Sequence, residues 1–178
     1  KKEIFLENLL ERTAKTYLGI LYIPILRGLR PIQYEGNDRF SNHDSFNIRT
    51  HFDYFSKLSP KNNVYTGLSM YEDITKLLLG TEEERQLIAD FEKFLSDHIF
   101  SEKVTLIPKH DKDVLHIKIG QKPQLEIYNL GDGLQTIISI LFPIFIGKDQ
   151  ERLVFIEEPE AHLHPDWQIK LLNALKQI

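Results

Sequence analysis

The spacing of apolar positions changes several times along the chain, and each change marks a different kind of element. Ile4, Phe5, Leu9 and Leu10 recur at helical spacing, with Glu11 and Lys15 as a favourable i,i+4 pair, so the opening segment reads as an amphipathic helix. Residues 17–26 (YLGILYIPIL) are almost continuously apolar, rich in Ile and Tyr and interrupted by Pro24, which is the profile of a short buried strand. A turn with two cations, Arg27 and Arg30, follows. Residues 36–66 are polar and aromatic without a clear period and read as irregular. Two helices come next. Ser69 with Glu72, and Thr81 with Glu84, fit the capping box, and Gly80 stands between them as a C-terminal cap. The second helix is expected to bury Leu87, Ile88, Phe91, Phe94 and Leu95 on one face.

From residue 103 the period becomes two. Val104 and Leu106, then Leu115, Ile117 and Ile119, then Leu125 and Ile127 alternate, with turns at 109–112 and 120–123, as in an antiparallel meander. Gly131-Asp132-Gly133 opens an apolar helix carrying Leu134, Ile137, Ile138, Leu141 and Phe145. Residues 153–156 (LVFI) have the composition of a central parallel strand buried on both faces. Pro165 then sits at the first position of a helix whose apolar face is Trp167, Leu171, Leu172 and Leu175. The fold class predicted is α/β: a parallel strand, an antiparallel meander, and an irregular and helical insertion over 36–100.

Composition adds exclusions. The chain has 178 residues, 22 Lys+Arg against 26 Asp+Glu and a net charge of −4, which suits one domain and gives no overall basic field for nucleic acid. With no Cys, disulfides, thiolate metal sites and cysteine nucleophiles are excluded. The most apolar stretch, 137–146, is far short of the ~20 residues that cross a bilayer, and it contains Pro143. Nothing at the start resembles a signal peptide, so a cytoplasmic protein without a membrane partner is expected. There is no initiator Met, and residues 175–178 stop partway along an amphipathic helix, the pattern of an excerpt from a longer protein.

Candidate chemistry concentrates in the last third. The strand at 153–156 runs into Glu157-Glu158-Pro159-Glu160. In open α/β sheets ligands bind beyond the carboxyl ends of strands, so two adjacent carboxylates there sit where a metal ion and a nucleophilic water would be held. The Gly-x-Gly turn exposes backbone N–H groups at a helix N-terminus, a natural anion site.

The string EEPEAHLHP after a strand, preceded by LGDGLQ and a helix, resembles the ATPase heads of the ABC/SMC superfamily. It looks most like the bacterial OLD-like and related "AAA family" ATPases of phage-defence systems and retron accessory proteins. The likeness is specific over 129–167, suggestive at 20–31 and absent over 36–100. It implies that residues 153–157 are the Walker B strand, that Glu157 holds Mg²⁺, usually through water, and that Glu158 is the catalytic base orienting the attacking water. By the same likeness residues 161–164 are the D-loop, which places His164 at the nucleotide. Residues 130–135 (Leu130, Gly131, Asp132, Gly133 and Gln135 among them) are then the signature motif, touching the γ-phosphate of ATP held by the opposing subunit. The implied cofactors are ATP and Mg²⁺, and the implied partners a second copy of the chain, a nuclease or other effector, and DNA.

The departures from the family pattern matter. Glu157 replaces the usual Walker B Asp, and Gly131 and Asp132 replace the signature Ser and middle Gly. No G-x-x-x-x-G-K-[ST] occurs: Gly147-Lys148 is the only Gly-Lys pair, with Phe142 where the first Gly should be and Asp149 after the Lys. By family order the Walker A loop is expected upstream of residue 1, and the 178 residues alone are expected to be inactive. Two other readings stay open. Glu157, Glu158, Glu160, His162 and His164 could form a divalent-metal site, or the helices at 68–98 could be the partner surface of an interaction module. Arg27 and Arg30 are candidates for touching phosphate or DNA. His43, His51, His98, His110 and His116 read as surface or turn residues.

Overall fold

The computed structural model describes residues 19–29, 64–110 and 114–178. The expected opening helix, the irregular stretch up to residue 63, Arg30, His43 and His51 lie outside the described residues. The apolar run at 17–26 becomes strand β1 (Gly19–Ile23), paired in parallel with β5 (Arg152–Ile156), Gly19 opposite Arg152 and Ile23 opposite Ile156. Between them come helices α1 (Met70–Leu78) and α2 (Glu82–Leu95) and a π-helical turn (Ser96–Phe100). Strands β2 (Val104–Lys109), β3 (Val114–Ile119) and β4 (Leu125–Glu126) follow, then a 3₁₀ turn (Ile127–Asn129) and helix α3 (Asp132–Ile146). Helix α4 (Pro165–Leu175) follows β5. β2, β3 and β4 form the antiparallel meander, with Val104 opposite Ile119 and His116 opposite Glu126. The α/β class is the one read from the sequence.

The mean character of α3 explains its place. Its apolar residues run all round the helix, so it is buried along most of its length, from Thr136 to Phe145. Phe91 on α2 meets Phe142 and Phe145 of α3, both at 5.4 Å between ring centroids. A single apolar core runs from β1 through α1, α2 and α3 to β2 and β3. Arg152 turns back from β5 to donate to the carbonyls of Pro143 and Ile144, placing a cation on the last carbonyls of α3.

Three expectations need correction. The strand at 153–156 is not buried on both faces: Leu153 is 39% exposed, and the rest of β5 keeps part of its surface. The inner strand is β1, whose Ile23 is fully buried. It has β5 on one side and, through Tyr65 N–H to the Tyr22 carbonyl at 2.9 Å, the segment after residue 64 on the other. Strand composition reports apolar affinity, not how many neighbours cover it. The second correction is Ser69, which forms no capping box; its hydroxyl bonds the Asp73 carboxylate at 2.8 Å. Thr81 and Glu84 do form theirs, in both directions. Third, His116 is neither surface nor turn. It lies on β3 with both ring nitrogens buried and unbonded. Among the described residues, no helix is long and apolar enough to cross a membrane.

Candidate active site

β5 delivers its chemistry at its carboxyl end. Glu157 N–H donates to the Ile23 carbonyl at 2.9 Å, continuing the parallel ladder one step past the strand. The Glu157 carboxylate is held in turn by the Ile25 N–H, 3.2 Å from Oε2. The next residue breaks the ladder. Glu158 has φ +39°, in the left-handed region that residues with a Cβ avoid at roughly 1–3 kcal/mol. Its carbonyl turns inward to accept from Ala161 N–H at 3.0 Å.

Arg27 is what the carbonyls of this turn face. It lies in the loop after β1 and is only 9% exposed. Its Nη1 donates to the carbonyls of Pro24 at 2.8 Å and Glu157 at 2.7 Å, and its Nη2 to that of Glu158 at 2.7 Å. The sequence offered Arg27 as a turn cation and a candidate for touching phosphate or DNA. In the fold it is an internal clamp, because a planar guanidinium can serve several backbone oxygens at once.

Beyond Glu158 the loop is compact. Leu163 N–H donates to the Glu160 carbonyl, Leu163 is buried, and Gln168 Nε2 on α4 holds the Leu163 carbonyl at 3.1 Å. His162 is a second left-handed residue, φ +63°, and its carbonyl points at the start of α3. A Cβ on Gly133 would lie 2.9 Å from that oxygen, so the glycine permits a close backbone approach between the two motifs. Gly131 has open space around it. The LGDGLQ turn and the EEPEAHLH loop, read separately in sequence, therefore touch.

Within that turn the candidate residues divide. Gly131 is the N-cap of α3 and brings no side chain to its donors, so the N–H groups of Asp132 and Gly133 belong to the unsatisfied first turn. Asp132 is exposed in the first turn of the helix. Leu130 is buried in the core, and its N–H bonds the Ile127 carbonyl. Gln135 turns its amide back onto the carbonyls of Tyr128 at 3.0 Å and Leu130 at 2.6 Å. Both bonds run from Nε2, so the Gln135 amide group shapes the turn that precedes it. His164 heads α4 with Nδ1 3.7 Å from the Asp166 carboxylate, both side chains largely exposed.

The rival metal-site reading loses its geometry. Among the described residues no three His, Asp or Glu side chains converge on a point that could hold a metal ion. The two left-handed residues turn Glu158, Glu160, His162 and His164 outward to solvent, while Glu157 faces the loop after β1. A Mg²⁺ ion needs less. It ordinarily takes one or two protein carboxylates and completes its shell with water and phosphate oxygens. Glu157 is an oxygen donor of that kind at a strand end, and it fits that role.

These features set two adjacent carboxylates at the end of a parallel strand in an α/β fold. The model of the AAA ATPase domain family matches residues 32–178, and the chain belongs to that family. It is also 38% identical over 58 residues to the Septu protein PtuA of Bacillus mycoides (strain KBAB4). That match covers 29% of this chain and 8% of the other, so the chain spans a small part of that relative's length.

Proposed function

We propose that this chain is part of an ATP-binding and hydrolysing head of the ABC/OLD-like kind, which dimerises around ATP. The observation that carries the reading is the pinned pair at the end of β5: Glu157 held by a backbone N–H, and Glu158 set in a left-handed conformation beside it. Glu157 is the residue that would hold Mg²⁺, which would supply neutralisation of charge on the phosphate oxygens. Glu158 accepts the proton of the attacking water. No G-x-x-x-x-G-K-[ST] phosphate loop lies in these 178 residues, which therefore take no phosphate-loop role. The free N–H groups at the start of α3, at Asp132 and Gly133, meet the γ-phosphate held by a second copy, with His164 near the same nucleotide. Family likeness extends the proposal to an antiviral effector driven by the ATP cycle, a nuclease or a DNA-bound partner.

The test separates the two glutamates in the complete protein. Glu158→Gln keeps shape and loses basicity; general-base contributions are ~10²–10⁴-fold, so hydrolysis nearly stops while ATP binding survives. The variant accumulates as an ATP-bound dimer on size-exclusion chromatography. Glu157→Gln weakens Mg²⁺-dependent nucleotide binding itself. Wild-type phosphate release by Glu158→Gln, or a trapped dimer with Glu157→Gln instead, refutes the assignment.

A further inference from the structure

We propose that Arg27 is a positioning residue for ATP hydrolysis, acting through the backbone to set the direction of the Glu158 carboxylate. The inference rests on the reading of Glu158 as the group that orients the attacking water, and goes beyond it by naming what fixes that group.

The argument begins with where the guanidinium ends. Its two terminal nitrogens reach the carbonyls of Glu157 and Glu158, the two residues that carry the chemistry, both at 2.7 Å. A third bond, to the Pro24 carbonyl at 2.8 Å, ties the fork to its own loop. That same loop supplies the Ile25 N–H that holds the Glu157 carboxylate. One short segment, residues 24–27, therefore sets the side chain of the first glutamate and the peptide planes of both.

Conformation supplies the second line. At φ +39° Glu158 sits where a side chain rarely stays unless its surroundings hold it. Its carbonyl accepts from Arg27 and from Ala161, so the peptide plane after Glu158 is fixed from two sides. With that plane and φ fixed, the Cα–Cβ bond has one direction, and Glu158 is exposed along it. Lysine cannot substitute. It offers a single nitrogen, and the planar fork that spans two consecutive carbonyls is lost.

The experiment uses Arg27→Lys, Glu158→Gln and the double variant in the complete protein, with single-turnover hydrolysis, nucleotide affinity from a fluorescent ATP analogue, and thermal midpoint. A misdirected catalytic group is worth up to about 10²-fold, so Arg27→Lys lowers kcat by roughly 10–10²-fold with KM and affinity within about twofold of wild type. Added to Glu158→Gln, it changes the residual rate little, because its effect passes through a carboxylate already neutralised. A merely structural arginine behaves differently: affinity and rate fall together, or Arg27→Lys slows the Glu158→Gln background by its full factor, and either outcome overturns the proposal. Wild-type hydrolysis by Glu158→Gln removes the underlying reading, while full loss there with no effect of Arg27→Lys removes only the role of Arg27. Arg27→Gln is the second variant. If neither it nor Arg27→Lys folds, the residue belongs to folding and the proposal fails.

Discussion

Replacing Gly133 by Ala tests the contact between the two motifs with one methyl group. The added Cβ would lie 2.9 Å from the His162 carbonyl oxygen and 3.3 Å from Leu163 Cδ2. Neither neighbour moves freely. His162 is a left-handed residue between anchors, Leu163 is buried, and Gln168 holds its carbonyl. Overpacking of this kind costs about 1–3 kcal/mol. Alanine regains about 0.5–1 kcal/mol over glycine inside a helix, and Gly133 lies in the first turn of α3. The net expectation is a loss centred on about 1 kcal/mol, within a range of about 0–2.5, or about 2–4 °C in the thermal midpoint of a chain this size at that centre. Gly131→Ser is the control two residues away. Nothing lies within 4 Å of its Cβ, and a serine N-cap adds a few tenths of a kcal/mol of stability. Thermal unfolding followed by circular dichroism should move the two variants in opposite directions. A Gly133→Ala midpoint at or above wild type would mean that the loop yields freely, and that the approach of the two motifs is not a constraint.

Phe91→Ala should destabilise by about 3–5 kcal/mol in urea titration, because the ring is fully buried and packs on Phe142 and Phe145. A cost below about 1 kcal/mol would show a core that collapses into the gap. Glu92→Gln addresses a charge at the edge of the meander, where the carboxylate accepts from Leu106 N–H at 2.7 Å and burial pushes its pKa above the ordinary glutamate value. The folded state therefore binds that proton more tightly than the unfolded chain, and the charged form opposes folding at neutral pH. The neutral variant should be the more stable at pH 7, and its advantage should shrink as pH falls through the raised pKa and be largely gone near 4.5. An advantage that grows on acidification would reverse the sign.

The readable parts of this chain were those set by local pattern. Alternation located the meander, the apolar run at 17–26 located β1, and Thr81 with Glu84 located the start of α2, because period and capping act within a few residues. The same local logic misread Ser69, whose hydroxyl had Asp73 as a competing partner one turn away. It also placed the two carboxylates at a strand end correctly from a four-residue apolar run and its following acids. It could not see Arg27. Donation from a side chain to backbone carbonyls has no sequence period, and the acceptor residues name nothing, since every residue has a carbonyl. The first of two arginines closing an apolar strand segment was the available signal, and exposure was the wrong default for it. The Gln135 amide was illegible for a related reason: its Nε2 serves the carbonyls of the turn that precedes it.

Arg27 and the peptides it holds are 130 and 131 residues apart along the chain. The helices and the hairpin between them close over short distances, whereas this junction must wait for a long loop to close, the slowest kind of contact to form. We expect the carboxylate edge to form late in folding, after the local helices and hairpin. A half-folded molecule would present neither glutamate correctly. Hydrogen exchange at the bonded Glu157 and Ala161 N–H groups would report whether the junction opens before the rest of the fold.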